Sequence, residues 1–259
     1  MSPFSHLNEE AKPPSAEPPR YSLERVVLAV ALPAVAGAVN ASGFHVVGAY
    51  TSHATGHVAR IGDAIAEGRY GLAVTSAGLV VSFLLGAMLA TSLIERARRG
   101  GRRLYYAPLL VEALVLAGFG TWMGLLGGNA QHLSVVALLC IAMGMQNALV
   151  TKVSGAGVRT THLTGILTDI GIESVRLVVW LKDQIRTSSL EQAIAIPKRF
   201  YDAPEWRKLR LHLMIVLSFL VGTIIGPQLF SHYGQAAMIA PCVILLALAV
   251  FDLTRGIHV

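Results

Sequence analysis

His53 and His57 stand four residues apart in TSHATGH, residues 51 to 57, a spacing that sets two imidazoles on one helical face as metal ligation requires. His162, in the similar run TTHLTGI at 160 to 166, and His45 are the other candidates near them. No HExxH and no cysteine pair accompanies them, so hydrogen-bonded histidines are the stronger reading and no metal is identified. Imidazole also changes charge near neutral pH, which makes these residues candidate pH sensors.

Around the histidines lie hydroxyls and small residues: Thr51, Thr55 and Gly56 in the first run, Thr160, Thr164 and Gly165 in the second. Thr caps a helix start and Gly lets the backbone turn or pack closely, so each Thr-Gly pair reads as a helix break. Beyond the breaks, His57, Arg60, Asp63 and Glu67 recur at spacings of three and four, as His162, Asp169, Glu173 and Arg176 largely do. Such a stripe is either a hydrated path lined by titratable groups or an interfacial amphipathic helix with its charges in water and headgroups. Glu112, in YYAPLLVEALVLAG, is the one carboxylate well inside an apolar run. A carboxylate at that depth is a functional candidate, its alternative being a neutral acid bonded to a neighbouring hydroxyl.

The elements that position these groups are membrane-spanning helices. Of 259 residues, 54% are hydrophobic and 14% charged, and several apolar runs approach the roughly 20 residues that cross a bilayer as helix. Six segments read as spans: 25–43, 71–94, 105–127, 133–151, 211–231 and 236–253; segments 51–68 and 160–182 read as short re-entrant or interfacial helices. The net charge of +6 gathers in short loops, where Lys and Arg set orientation, so it is no sign of a nucleic-acid partner. RARRGGRR at 96–103, the segment from Lys152 to Arg210 and the N-terminal tail fall on one side with six crossings, which places both termini in the cytoplasm. Residues 1–22, rich in Pro and Glu, read as a disordered tail, and Cys140 and Cys242 as buried hydrophobes rather than a disulfide.

The two halves repeat. TSHATGHVARIG (51–62) and TTHLTGILTDIG (160–171) agree at six of twelve positions, 109 residues apart. Gly37, Asn40 and Ala41 reappear 107 residues on as Gly144, Asn147 and Ala148, and VVSFLLGAMLA (80–90) as VLSFLVGTIIG (216–226), 136 residues on. The extra length is an insertion at 183–209. Three crossings per half, 23–127 and 128–259, force the second copy to enter from the opposite side, so the expected fold is all-α: a 3+3 inverted repeat of about six transmembrane helices. Gly78, Ser82, Gly86 and Ala90, like Ser218, Gly222 and Gly226, form small-residue stripes that pack either the two halves together or a homodimer.

On AGAVNASGF, TSHATGHVARIGDAIAEG and MQNALVTKVSGAGVRTTHLTGILTDIG, the chain resembles the YoaK-like bacterial membrane proteins, the domain of unknown function 1275, over residues 25–255. The resemblance implies an inner-membrane location and a shared multi-helix fold, without a reaction or substrate. Family members commonly carry Asp where this chain has Asn40, and Thr-Gly-Asn where it has Thr55, Gly56 and His57.

Inverted repeats are characteristic of transporters that bind solutes or ions where paired broken helices meet. The expected function is therefore a small secondary transporter or permease. Its substrate or ion site would draw on Asn40, Thr51, His53, Thr55, Gly56, His57, Glu112, Asn147, Thr160, His162, Thr164, Gly165 and Asp169. No nucleotide motif or cofactor signature is present, and membrane lipid and a small solute or ion are the expected partners. The alternatives are an intramembrane metal-dependent enzyme using the same residues and a non-transporting assembly or sensing protein. The latter would use the tail and IPKRFYDAPEWRKLR, whose basic and aromatic residues suit an anionic membrane surface.

Overall fold

A computed structural model describes residues 23–48, 50–125, 133–154, 163–187, 199–201 and 203–255. The elements run α1 (Leu23–Val47), α2 (Ala54–Ala66), α3 (Tyr70–Arg99), α4 (Tyr106–Leu125), α5 (Leu133–Ser154), α6 (Leu163–Thr187), α7 (Pro204–Tyr233), a 3-10 turn (Gly234–Met238) and α8 (Ile239–Arg255). There is no strand among the described residues. The tail, the 126–132 connection, Thr160, His162 and most of the insertion lie outside them.

Among the described residues five runs are long and apolar enough to cross a membrane: Val26–His45, Tyr70–Arg99, Tyr106–Leu125, Leu133–Lys152 and Pro204–Thr254. The last, 51 residues long, holds both α7 and α8. α2 and α6 carry no such run, but α6 is not short: it has 25 residues and continues five residues into the expected insertion. The physical reason is local. Residues 172–196 contain neither Gly nor Pro, and an inward face of Ile166, Ile170, Glu173 and Leu177 keeps the helical period. α7 closes the other end of the insertion with Pro204 at its start, where a missing N–H costs nothing. Gly68 and Gly101 supply the left-handed turns, with φ of 68° and 61°, that end α2 and α3.

Helix directions follow from side-chain pairings. α1 and α7 run side by side in parallel, with Ala29 against Ile215 at one end of their contact and Gly226 against Ala38 further along. α3 and α5 are parallel as well, with Leu79 near Val136 at one end and the Glu95 and Lys152 charges 3.6 Å apart at the other. α1 and α5 are antiparallel: Gln146 reaches Leu32 while Leu139 lies near Gly43. α4 and α8 are antiparallel too, since Asp252 meets Tyr105 and Met238 lies beside Gly120. RARRGGRR therefore lies at the end of the bundle that also carries Lys152 and the start of α1.

The parallel contacts are backbone-close and made twice. A Cβ on Gly222 would strike the Ala34 carbonyl oxygen, and one on Gly37 the Phe219 carbonyl oxygen and, at 2.9 Å, Thr223 N. In the other pair of helices Gly86 stands against the Ile141 carbonyl and Gly144 against the Phe83 carbonyl, with Ala87 N 3.1 Å away. Ala34 and Ile141 are 107 residues apart, and Gly222 and Gly86 are 136 apart, which are the offsets of the sequence repeat. Small residues thus join the two halves within one chain, as lipid-embedded helices require for close approach. The core behind them is built from Leu28, Leu32 and Val39 of α1, Leu109 and Phe119 of α4, and Leu139 and Met143 of α5. Outside, Val74, Val81, Leu84, Leu85 and Met88 of α3 are exposed, as a lipid-facing surface would be.

Candidate functional site

Between α1 and α2 the chain breaks and folds back on itself. Gly48, at φ 66°, sits where α1 stops, and the rings of Phe44 and Tyr50 stack at 4.4 Å across the break. Ser52 N donates to Asn40 Oδ1 at 3.0 Å, so the Asn40 side chain pins residues 12 positions away to the last turns of α1. Thr51 packs over Gly43, whose added Cβ would lie 3.3 Å from Thr51 Cγ2. It is 1% exposed, and its Oγ1 has no hydrogen-bond partner among the described residues.

His53 holds the N-cap position of α2, which the sequence pattern assigns to Thr55; Thr55 instead lies exposed within the first turn. Gly56 has a different role from the backbone break expected of it. A Cβ there would fall 2.6 Å from His53 Nδ1, so the glycine makes room for the imidazole. One turn on, His57 is buried, with Nε2 lacking a partner among the described residues. Burial lowers the readiness of His57 to accept a proton below that of an ordinary imidazole. A backbone hydrogen bond to Tyr50 opposes the effect, and the nearby His53 and Arg60 add to it. Asn40, Thr51, His53, Gly56 and His57 therefore share one small region, and two of them present buried polar atoms with no partner there.

The second run is only partly matched. Asn147 is buried on α5 at the position equivalent to Asn40, and its carbonyl accepts from Thr151 Oγ1 at 2.7 Å. Thr160 and His162 lie outside the described residues. Thr164 and Asp169 are exposed, Gly165 is half-buried, and the position equivalent to His57 is the buried Ile166. Glu112 faces the interior of the bundle, fully buried, with neither carboxyl oxygen partnered among the described residues. α8 packs beside it, where Cys242 Sγ donates to the Ala113 carbonyl at 3.5 Å.

Two polar contacts were not legible beforehand. Gln146 Nε2 donates to the Leu32 carbonyl at 2.9 Å, joining α5 to α1, although its repeat equivalent is the apolar Val39. Glu173, read from sequence as part of a solvated stripe, is buried against His212 of α7, with Oε2 2.9 Å from Nδ1. A cavity of about 210 Å³ opens between α1, α7 and α8, walled by Ala34, Ala38, Gly222, Gly226 and Met238, with Ser42 as its polar side chain. Among the described residues no three His, Cys, Asp or Glu side chains come together as metal ligands.

A family model described as "Protein of unknown function (DUF1275)" matches residues 28–251. The chain belongs to this family. This DUF1275 chain is similar to the UPF0700 transmembrane protein YoaK of Bacillus subtilis (strain 168), with 26% identity over 154 residues, 59% of this chain and 68% of YoaK. No solved structure matches it. Together with the apolar helices, membership makes this DUF1275 protein a multi-pass integral membrane protein, and the resemblance drawn from MQNALVTKVSGAGVRTTHLTGILTDIG holds.

Proposed function

We propose that the protein is a small secondary permease of the bacterial inner membrane. Its two halves form an inverted repeat, and its solute or ion site is built at the α1–α2 break and its counterpart after α5. The observation that carries this reading is the cluster at the break: Asn40, Thr51 and His57 come together where helix is interrupted, and Thr51 Oγ1 and His57 Nε2 are buried without a partner among the described residues. Buried polar atoms are normally satisfied, so such groups beside a helix break suit a site completed by a polar or ionic solute. Asn147 and Thr160 would supply the same chemistry in the second half, and Glu112 a third polar contact from α4. The antiparallel relation of α1 to α5 and of α4 to α8 supports the inverted arrangement, and the basic loops at one end support cytoplasmic termini.

The test is current on a solid-supported membrane bearing proteoliposomes. These are challenged in turn with amino acids, monosaccharides, monovalent cations and divalent cations, and compared with Thr51→Val and His57→Phe. A solute-specific current that falls at least tenfold in both variants supports the reading. No current with any class, or currents in both variants equal to the parent's, defeats it.

A further inference from the structure

The two halves differ most sharply where each amphipathic helix lies on its long neighbour. In the second half this contact buries a carboxylate and an imidazole: Glu173 of α6 and His212 of α7 are each 7% exposed, with Oε2 2.9 Å from Nδ1. Offsets of 109 and 136 carry these positions to Ala64 of α2 and Ser76 of α3. Both equivalents are also buried, at 0% and 2%, on helices that pack together. One architecture therefore holds small uncharged side chains at these positions in one half and an ionisable pair in the other.

The buried cluster beside the pair is apolar among the described residues. Ile166, Leu211 and Ile215 form the buried cluster around it with Ala29 of α1, and Ile170, Met214 and Val216 pack against that cluster. The charged groups nearest the pair on the two helices are Asp169 and Arg176, one turn either side of Glu173, with Lys208 and Arg210 before His212, all exposed; Arg207 is half-buried, and Lys182, Asp183 and Arg186 lie more than two turns beyond Glu173. Glu205 lies two turns before His212 and is half-buried. After His212, α7 has no titratable residue until His232, and α1 has none from Val26 to Phe44.

We propose that Glu173 and His212 form a proton-binding latch that fastens α6 to α7, giving this contact an acid response that its equivalent between α2 and α3 lacks. With the carboxylate ionised, Nδ1–H donates to it whether the imidazole is neutral or charged, and α6 is held. A proton added to the carboxylate while the imidazole is charged removes the anion and leaves a buried cation among Leu211, Ile215 and Ile166, so α6 lifts. An uncompensated buried charge is what such a site cannot tolerate. The ligand is the proton alone, and the latch operates whether or not the protein transports a solute.

The experiment uses the full chain in lipid nanodiscs with Cys140→Ala and Cys242→Ala, and nitroxides on Val178→Cys and Leu220→Cys to report on α6 and α7. A second labelled protein, Ile65→Cys with Val81→Cys, reports on α2 and α3. Inter-label distances are read at pH 7.5 and again after stepwise acidification. The expected result is a longer α6–α7 component at acid pH, no change between α2 and α3, and loss of the acid response in His212→Asn, which has no imidazole to charge. If that variant does not fold, Glu173→Ala with His212→Ser recreates the pairing of the first half, and the folded double variant has an acid-insensitive α6–α7 distance. The proposal is overturned by an acid response that survives in the variants, by none in the parent, or by equal lengthening between α2 and α3.

Discussion

Replacing Gly222 with alanine adds one methyl at a point where the helix has no room. Its Cβ would meet the Ala34 carbonyl and lie 2.9 Å from Ala38 N. These are backbone atoms, so no rotamer change relieves the clash and α1 and α7 must separate. Overpacking of this kind typically costs about 1–3 kcal/mol, and the upper part of that range applies where backbone must move. Against it stands the gain of about 1 kcal/mol that alanine brings over glycine within a helix. Gly78 isolates that gain, because nothing lies within 4 Å of its added Cβ. With the net cost about 1–2 kcal/mol, thermal unfolding of purified protein in one detergent is then expected to place Gly222→Ala about 2–4 °C below the parent and Gly78→Ala at or slightly above it. Gly86→Ala, the repeat equivalent that strikes the Ile141 carbonyl, is expected to fall by a similar amount. Equal melting of Gly222→Ala and Gly78→Ala would refute the close α1–α7 contact. A loss at Gly222 with none at Gly86 would refute the reciprocal packing of the halves.

Other consequences follow from single side chains. Burial disfavours the charged form of His57, so its folded-state proton affinity lies below that of the unfolded chain. The unfolded chain thus binds more protons as pH falls below about 6.5, and stability present above that pH is lost beneath it. Melting curves across pH should show this loss diminished in His57→Phe, and an unchanged profile would remove His57 as its source. Asp252 Oδ2 accepts from Tyr105 N at 3.0 Å and Tyr106 N at 2.8 Å, capping α4 from the end of α8. Asp252→Ala should destabilise by about 2–3 kcal/mol in equilibrium unfolding, whereas loss below about 0.5 kcal/mol would mean that the cap contributes little. Glu112 is fully buried without a partner among the described residues, so Glu112→Gln is expected to leave melting within a few degrees of the parent. A large fall would show that its carboxyl holds the bundle together rather than serving a solute.

The sequence exposed most of the frame, because spans are written in long apolar runs and the repeat in small residues that cannot vary without separating helices. Gly37, Gly144, Gly86 and Gly222 were visible as markers, and their backbone contacts give the reason for them. Asn40 was visible too, although its bond to Ser52 N was not. Less was legible where a residue's role depends on a distant neighbour. Glu173 lies on a stripe with Asp169 and Arg176 that reads as solvated, and only the return of α7 across the insertion brings His212 to cover it. Gly56 reads as a hinge until the His53 ring is seen to occupy its side-chain space. Helical period gives which residues share a face, and tertiary packing decides which face is dry.

In an inverted repeat α2 and α6 would enter the membrane from opposite sides. Single cysteines at Arg60 and Asp169, equivalent and exposed positions on α2 and α6, put that to a direct test in a background without Cys140 and Cys242. A membrane-impermeant maleimide added to intact cells should label Arg60→Cys and leave Asp169→Cys untouched until the membrane is opened. Labelling of both from outside, or of neither, would contradict the inverted arrangement and the shared site built on it.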